Sequence, residues 1–194
     1  MMNKRLKQGS TFLLAVALTF PLLTLPGAKA ANAIDTDAEC SIQFDIGGNS
    51  SELLSASIPV NLYKVASVDV SGNYTATGTF AKLDLSSVSA DNLDTAAATW
   101  SERAAEAKKL LKDDTEPTTT VTLTQGRGTA TGLDTGLYLV DTPKVITTNY
   151  TYTFTPYLVS LPTNNYYSGN GASDDWIYDL TKEYNSAVGL KPEQ

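Results

Sequence analysis

Apolar and polar residues alternate along most of this chain. In "CSIQFDI", Cys40 to Ile46, the side chains of Ile42, Phe44 and Ile46 fall on one side, and Gly47, Gly48 and Asn49 close the run as a turn. "ASIPVNLYKVASVDV" places Ile58, Val60 and Leu62 on one face; Tyr63, Val65 and Val68 then shift the phase, as at a bulge or in a strand buried on both faces. A turn at Ser71 to Asn73 and a further strand follow in "SGNYTATGTF". After Pro117, "TTTVTLTQ" and "TATGLDTGLYLVDT" flank a Gly126-Arg127-Gly128 turn as a hairpin. "NYTYTFTPYLVSL" sets Tyr150, Tyr152 and Phe154 against Thr151, Thr153 and Thr155, and the β-branched threonines suit a pleated, solvated surface. "WIYDLTKEY" reads as a last strand with Trp176 and Tyr178 facing inward.

One segment has a different period. Over residues 94–112, Ala, Glu, Lys and Leu dominate, and from Leu93 the positions Ala97, Trp100, Ala104, Ala107 and Leu111 recur at steps of 4, 3, 4, 3 and 4. That is a helical stripe anchored by Trp100, with Asp91, Asn92 or Asp94 available as a cap. Glu102, Glu106 and Lys108 give it a mixed-charge outer face, which fits packing across one edge of a sheet. The fold class expected is mostly β: a β-sandwich of about seven to nine strands with one inserted α-helix.

The first thirty residues carry an address. Lys4, Arg5 and Lys7 precede the apolar run "TFLLAVALTFPLLTL", and Pro26 and Gly27 break it just before Ala28-Lys29-Ala30. A basic start, a short apolar core and a small-x-small exit make a secretory signal peptide. The run of about 15 residues is shorter than the ~20 a spanning helix needs, and Pro21 interrupts it, so no membrane insertion is expected after cleavage. Ala31-Asn32-Ala33 offers a second exit, so the mature chain starts near Ala31 or Ile34. The expected organisation is a cleaved signal peptide at 1–30, a flexible segment at 31–39 and one domain at 40–194, which is long enough for a sizeable core.

Removing residues 1–30 takes Lys4, Arg5, Lys7 and Lys29 from the 14 basic residues and none of the 21 acidic ones, leaving a net charge of −11. That sign disfavours nucleic acid and anionic membrane surfaces as partners. A single cysteine, Cys40, cannot form an internal disulfide; it is either a small apolar residue of the first strand or a thiol open to another chain. With no histidine, neither a Ser-His-Asp triad nor a histidine-containing zinc site can be built, and no glycine-rich phosphate loop follows a strand. No catalytic residue, metal or cofactor is expected. The carboxylates Asp174-Asp175, Asp113-Asp114 and Asp134 are what remains for a glycosidase pair or a calcium ion.

The order of several motifs resembles a known family. "SIPVNLYKVASVDVSGNYT", a helical insert with "TWSERA", then "GLDTGLYLV", "YTFTPYLVSLP", "WIYDL" and "LKPE" are similar to the N-terminal domain of sortase-assembled pilins of Gram-positive bacteria, a collagen-adhesin B-type, immunoglobulin-like domain. The resemblance covers about residues 40–194. It implies a structural, non-enzymatic role at the bacterial cell surface or cell wall, with other pilin subunits and a sortase as partners. It also implies an acceptor lysine near the end of the domain, for which Lys191 in "LKPE" and Lys182 in "DLTKEY" stand in position. Proline follows Lys191 rather than preceding it, and the sequence stops at Gln194 without an LPxTG signal, which reads as a fragment, a truncated product or a subunit not itself wall-sorted. Related domains often join a lysine to an asparagine beside a glutamate; here Asp141 follows "GLYLV" and the first strand has no lysine, so no internal crosslink is expected. The alternative is a secreted binding module that recognises a host glycan or matrix protein through Tyr166 and Tyr167, since exposed aromatics give contact area at low entropic cost.

Overall fold

The computed structural model describes residues 32–46, 51–90, 97–164, 175–181, 188–189 and 192–193. In chain order these form β1 (Cys40–Asp45), a single helical turn α1 (Ser51–Ser55), the long β2 (Ile58–Val68), β3 (Tyr74–Ala76), a 3-10 turn at Gly78–Phe80 and α2 (Ala97–Leu110). There follow β4 (Thr119–Leu123), β5 (Arg127–Leu133), β6 (Gly136–Asp141), β7 (Val145–Ile146), β8 (Thr151–Phe154) and β9 (Tyr157–Leu161). Five two-residue pieces of strand finish the order: β10 (Thr163–Asn164), β11 (Trp176–Ile177), β12 (Asp179–Leu180), β13 (Val188–Gly189) and β14 (Pro192–Glu193).

The result is an immunoglobulin-like sandwich with a helix on its outside. In the larger sheet β2 is central and antiparallel to all its neighbours: β6 runs along one side with β9 beyond it, and β4 and β3 follow one another along the other. In the facing sheet β1 pairs with β5 antiparallel on one edge and with β12 and β13, both parallel, on the other. β7, β8 and β14 make a small third sheet, and β10 and β11 pair with each other.

Strand periodicity sorts the side chains between two cores. Ile42 and Phe44 of β1, Ile58, Val60 and Leu62 of β2, and Tyr138 and Val140 of β6 fill the space between the sheets, all at most 1% exposed. The opposite faces of the same strands, Tyr63 and Val65 of β2 and Leu137 and Leu139 of β6, turn toward α2 and pack with Phe80, Leu83, Leu85, Ala104 and Ala107. β6 is therefore buried at every position, which is why "GLYLV" is an unbroken apolar run. The phase shift read in β2 has both of the causes considered: the strand is covered on two faces, and its register against β6 slips between Lys64 and Ala66. Gly136 sits opposite that slip, where a Cβ would fall 2.5 Å from the Ala66 carbonyl oxygen and 2.9 Å from Cε of Lys64. Only a glycine lets the backbones approach there.

Several sequence expectations are refined. The helix is described from Ala97 to Leu110, inside the expected 94–112, and Trp100, Ala104 and Ala107 form its packed stripe against β9 and β6. The β4–β5 hairpin turns one residue earlier than expected, at Gln125 and Gly126, whose φ angles of 51° and 78° suit a tight turn between Thr124 and Arg127. "NYTYTFTPYLVSL" divides into β8 and β9 around Pro156, which has no N–H to give a ladder. "WIYDL" likewise divides, β11 going to β10 and β12 to β1. The Gly47-Gly48-Asn49 turn lies outside the described residues.

Within the segment expected to be flexible at 31–39, Asn32 and residues 34–36 make defined contacts with the rest of the domain. Ile34 is 2% exposed and packs with Val68, Ala90, Tyr74 and Trp176. Its amide donates to the Val70 carbonyl at 2.9 Å, the Asp35 amide to the Tyr178 hydroxyl at 2.8 Å, and the Thr135 hydroxyl to the Thr36 carbonyl at 2.9 Å. One well-placed isoleucine in an otherwise polar stretch is too weak a periodic signal to announce this docking.

Candidate functional site

The four residues singled out from the sequence, Lys182, Lys191, Tyr166 and Tyr167, lie outside the described residues. What the structure does describe is the frame on either side of each. β12 lies against β1 through Ser41 with Asp179 and Ile42 with Leu180. Its last turn is fastened by the Asp179 carboxylate, which accepts from the Ser41 hydroxyl at 2.7 Å and from the Thr181 amide and hydroxyl at 3.0 and 2.6 Å. Thr181 immediately precedes Lys182 in the sequence. Further on, Val188 and Gly189 pair with Phe44 and Asp45, while Pro192 and Glu193 pair with Phe154 and Thr153. Lys191 thus falls in sequence between one segment laid on the β1 sheet and another laid on β8. Tyr166 and Tyr167 belong to the connection between β10 and β11, whose ends are joined by the pairing of Thr163 with Ile177 and of Asn164 with Trp176.

Among the described residues, the lysine with the most buried partner is Lys108. Its ammonium reaches Asp141 Oδ2 at 2.5 Å; the lysine side chain is 47% exposed and the aspartate side chain 10%. α2 brings Lys108 over the end of β6, where Asp141 faces the helix layer with Tyr63. Burial raises the Tyr63 pKa, and the charges of Asp141 and Glu116 add to that rise. The sequence marked Asp141 as the residue after "GLYLV" but gave no hint of its partner, because 33 positions separate the two. A carboxylate this enclosed needs a cation or donors nearby, and Lys108 supplies the charge while leaving half of its own surface in water.

A second pair, Lys64 with Asp134 at 3.1 Å, lies near Cys40, but Asp134 is 82% exposed and the contact is worth about 0–1 kcal/mol. Cys40 itself is 1% exposed. Burial first, and the Asp134 charge second, push its thiol up to about 12, with Lys64 opposing. The thiol is therefore protonated and enclosed, the apolar-residue alternative of the two considered for it. On the far side, Glu52 of α1 accepts hydrogen bonds from the Thr147 hydroxyl and the Asn149 side-chain amide, and so clamps the β7–β8 turn. Its carboxyl is held below the usual value of 4.5, chiefly by the Thr147 bond and then by Asn149.

Asp175 accepts from the Asn32 side-chain amide at 3.2 Å, Asp134 is paired with Lys64, and Asp174 lies outside the described residues. Among the described residues no three His, Cys, Asp or Glu side chains could share a metal ion, and no helix is long and apolar enough to cross a membrane.

The chain is similar to the full-length major pilin SpaD from Corynebacterium diphtheriae, with 21% identity and a TM-score of 0.41, over 75% of this chain and 29% of that one. The chain therefore spans less than a third of that pilin's length. No family model and no curated protein matches it.

Proposed function

We propose that this chain is a structural domain of a bacterial surface pilus, exported, joined to neighbouring subunits by sortase-catalysed isopeptide bonds, and contributing to adhesion. Lys191 is the acceptor lysine in this reading and Lys182 the second choice. The observation that carries it is the path of the C-terminal run. β12 and β13 lie parallel to β1, and β14 crosses to β8, so the chain on either side of Lys191 is bonded to two different sheets. Tension applied through an amide at Lys191 would load several backbone pairs together instead of peeling a free tail. The motifs of the resemblance agree with this, since "LYKVA" lies in β2, "GLYLV" in β6, "YLVSL" in β9 and "WIYDL" across β11 and β12.

The chemistry asked of the lysine is simple. A deprotonated ε-amine attacks the acyl-enzyme thioester, the C–N bond forms as the C–S bond breaks, and the amine proton passes to the departing thiolate. The chain need supply no catalytic group of its own. The alternative reading, a secreted binding module using Tyr166 and Tyr167, draws on the joined base of β10 and β11, which would present the loop between them from a fixed stem.

The test is a denaturing blot of cell-wall extract with antibody to this domain, from wild type and from Lys191→Ala and Lys182→Ala strains. A boiling-resistant ladder that disappears in one mutant identifies a covalent polymer and its acceptor. A single monomer band in all three strains, mostly in the medium, sinks the pilus reading and favours the binding module.

A further inference from the structure

The N-terminal stretch that the sequence left between two processing points is integral to the fold. Asn32 gives the Trp176 indole N–H its acceptor, the Asn32 main-chain oxygen, at 2.6 Å, and its side-chain amide donates to Asp175 at 3.2 Å. Two residues later, the Ile34 amide is bonded to Val70 in a pocket that leaves the residue 2% exposed. Asp35 and Thr36 continue the attachment to Tyr178 and Thr135. This segment therefore bridges the end of β2, the loop before β6 and the β11–β12 piece, regions far apart in the sequence.

The two small-x-small exits have opposite consequences for this clasp. Hydrolysis after Ala33 would remove Asn32 and take away the oxygen that meets the Trp176 N–H. It would also convert the Ile34 amide, an enclosed neutral donor, into an ammonium, and a charge placed in apolar surroundings is costly. Hydrolysis after Ala30 leaves every one of these contacts in place and puts the new ammonium ahead of the clasp.

We infer that residues 32–36 are a clasp that the folded domain requires, so that of the two exits only hydrolysis of the Ala30–Ala31 bond yields a mature protein, beginning at Ala31, that keeps it whole. Water adds across that one amide, leaving a carboxylate on Ala30 and an amine on Ala31. The inference rests on the reading of residues 1–30 as a cleaved leader, and it is independent of whether the domain polymerises.

The experiment expresses residues 1–194 in a Gram-positive secretion host, with intact mass and N-terminal sequencing of the protein recovered. A start at Ala31 is expected. A start at Ile34 overturns the assigned bond while leaving the leader reading intact; a chain still carrying residues 1–30 overturns both. A second measurement isolates the clasp from the peptidase's own preference: chains beginning at Ala31 and at Ile34 are made without a leader, both as Trp100→Phe so that Trp176 alone reports. The Ile34 chain is expected to melt roughly 3–8 °C lower, with Trp176 emission shifted to the red. Equal melting and equal emission would overturn the clasp.

Discussion

The two faces of the larger sheet are buried by different means. Between the sheets, large side chains from strands distant in sequence interlock: Phe44, Ile42, Leu62, Leu123, Tyr138 and Leu161 are all fully enclosed. On the outer face the helix settles close to the sheet because its contact residues Ala104 and Ala107 are small and 0% exposed, while Leu137, Leu139, Leu83 and Leu85 supply the bulk from the other side. The Tyr138 hydroxyl, deep between the sheets, donates to the Asp134 carbonyl at 2.8 Å, while buried polar atoms without a hydrogen bond occur beside both cores: Trp100 Nε1 and Arg103 Nε on the helix and the Tyr157 hydroxyl against the inner cluster. The inner core is a jigsaw of large pieces, and the outer one depends on smallness. Errors of opposite sign should therefore damage them: a cavity inside, an excess of volume outside.

The largest expected effect sharpens this directly. Phe44→Ala should lower unfolding free energy by about 3–5 kcal/mol, read from urea denaturation, because the facing sheet cannot collapse into the space. A loss below about 1 kcal/mol would mean that the inner core is loosely filled. Next, Ala104→Leu should cost about 1–3 kcal/mol by pushing α2 off β6 and β9, with the helix contribution to far-UV circular dichroism largely kept. If that substitution instead stabilised the domain, the close approach of the helix would not be the organising feature of the outer face.

The smallest effect concerns the turn that closes one end of the inner core. Glu52 binds Thr147 and Asn149, its neighbour Leu53 is 1% exposed, and Tyr152 of the β8 strand that follows the turn is 2% exposed. Since the folded carboxyl titrates below its ordinary 4.5, the clamp contributes above the unfolded value and is lost as pH falls through the folded one. Wild type should exceed Glu52→Gln in stability above the ordinary carboxyl value, and the difference should shrink as pH falls below it and through the lowered folded value. A difference that persisted in acid would show that the carboxylate's charge is not what holds the turn.

The comparison also explains which elements were legible. β1 and the first half of β2 announce themselves because period-2 alternation records a strand with one face in a core. α2 was legible as a stripe of period 3.6, whereas "TATGLDTGLYLVDT", read as one arm of a hairpin, divides into β5, which joins β1, and β6, which joins β2 in the other sheet. The one-turn α1 was missed, since five residues carry too little period to separate a helix from a loop. The two-residue strands β10 to β14 have no period at all, and pairing partners alone define them. The Lys108–Asp141 pair was invisible for a related reason, as an ion pair leaves no mark in sequence when its members come from different elements.

What the sequence determined by itself was local: which runs extend, which one coils, where glycine and proline interrupt them, and that a chain without histidine lacks the usual proton-transfer residue. These follow from steric preference and from the two periods that match a strand and a helix. The tertiary structure decided the rest. It tied residues 32–35 to the β11–β12 piece, enclosed Cys40, put Lys108 on Asp141, and laid the C-terminal run across two sheets. Each of those joins groups far apart along the chain, and such contacts are fixed only when burial of the whole apolar pattern outweighs the entropy of bringing them together.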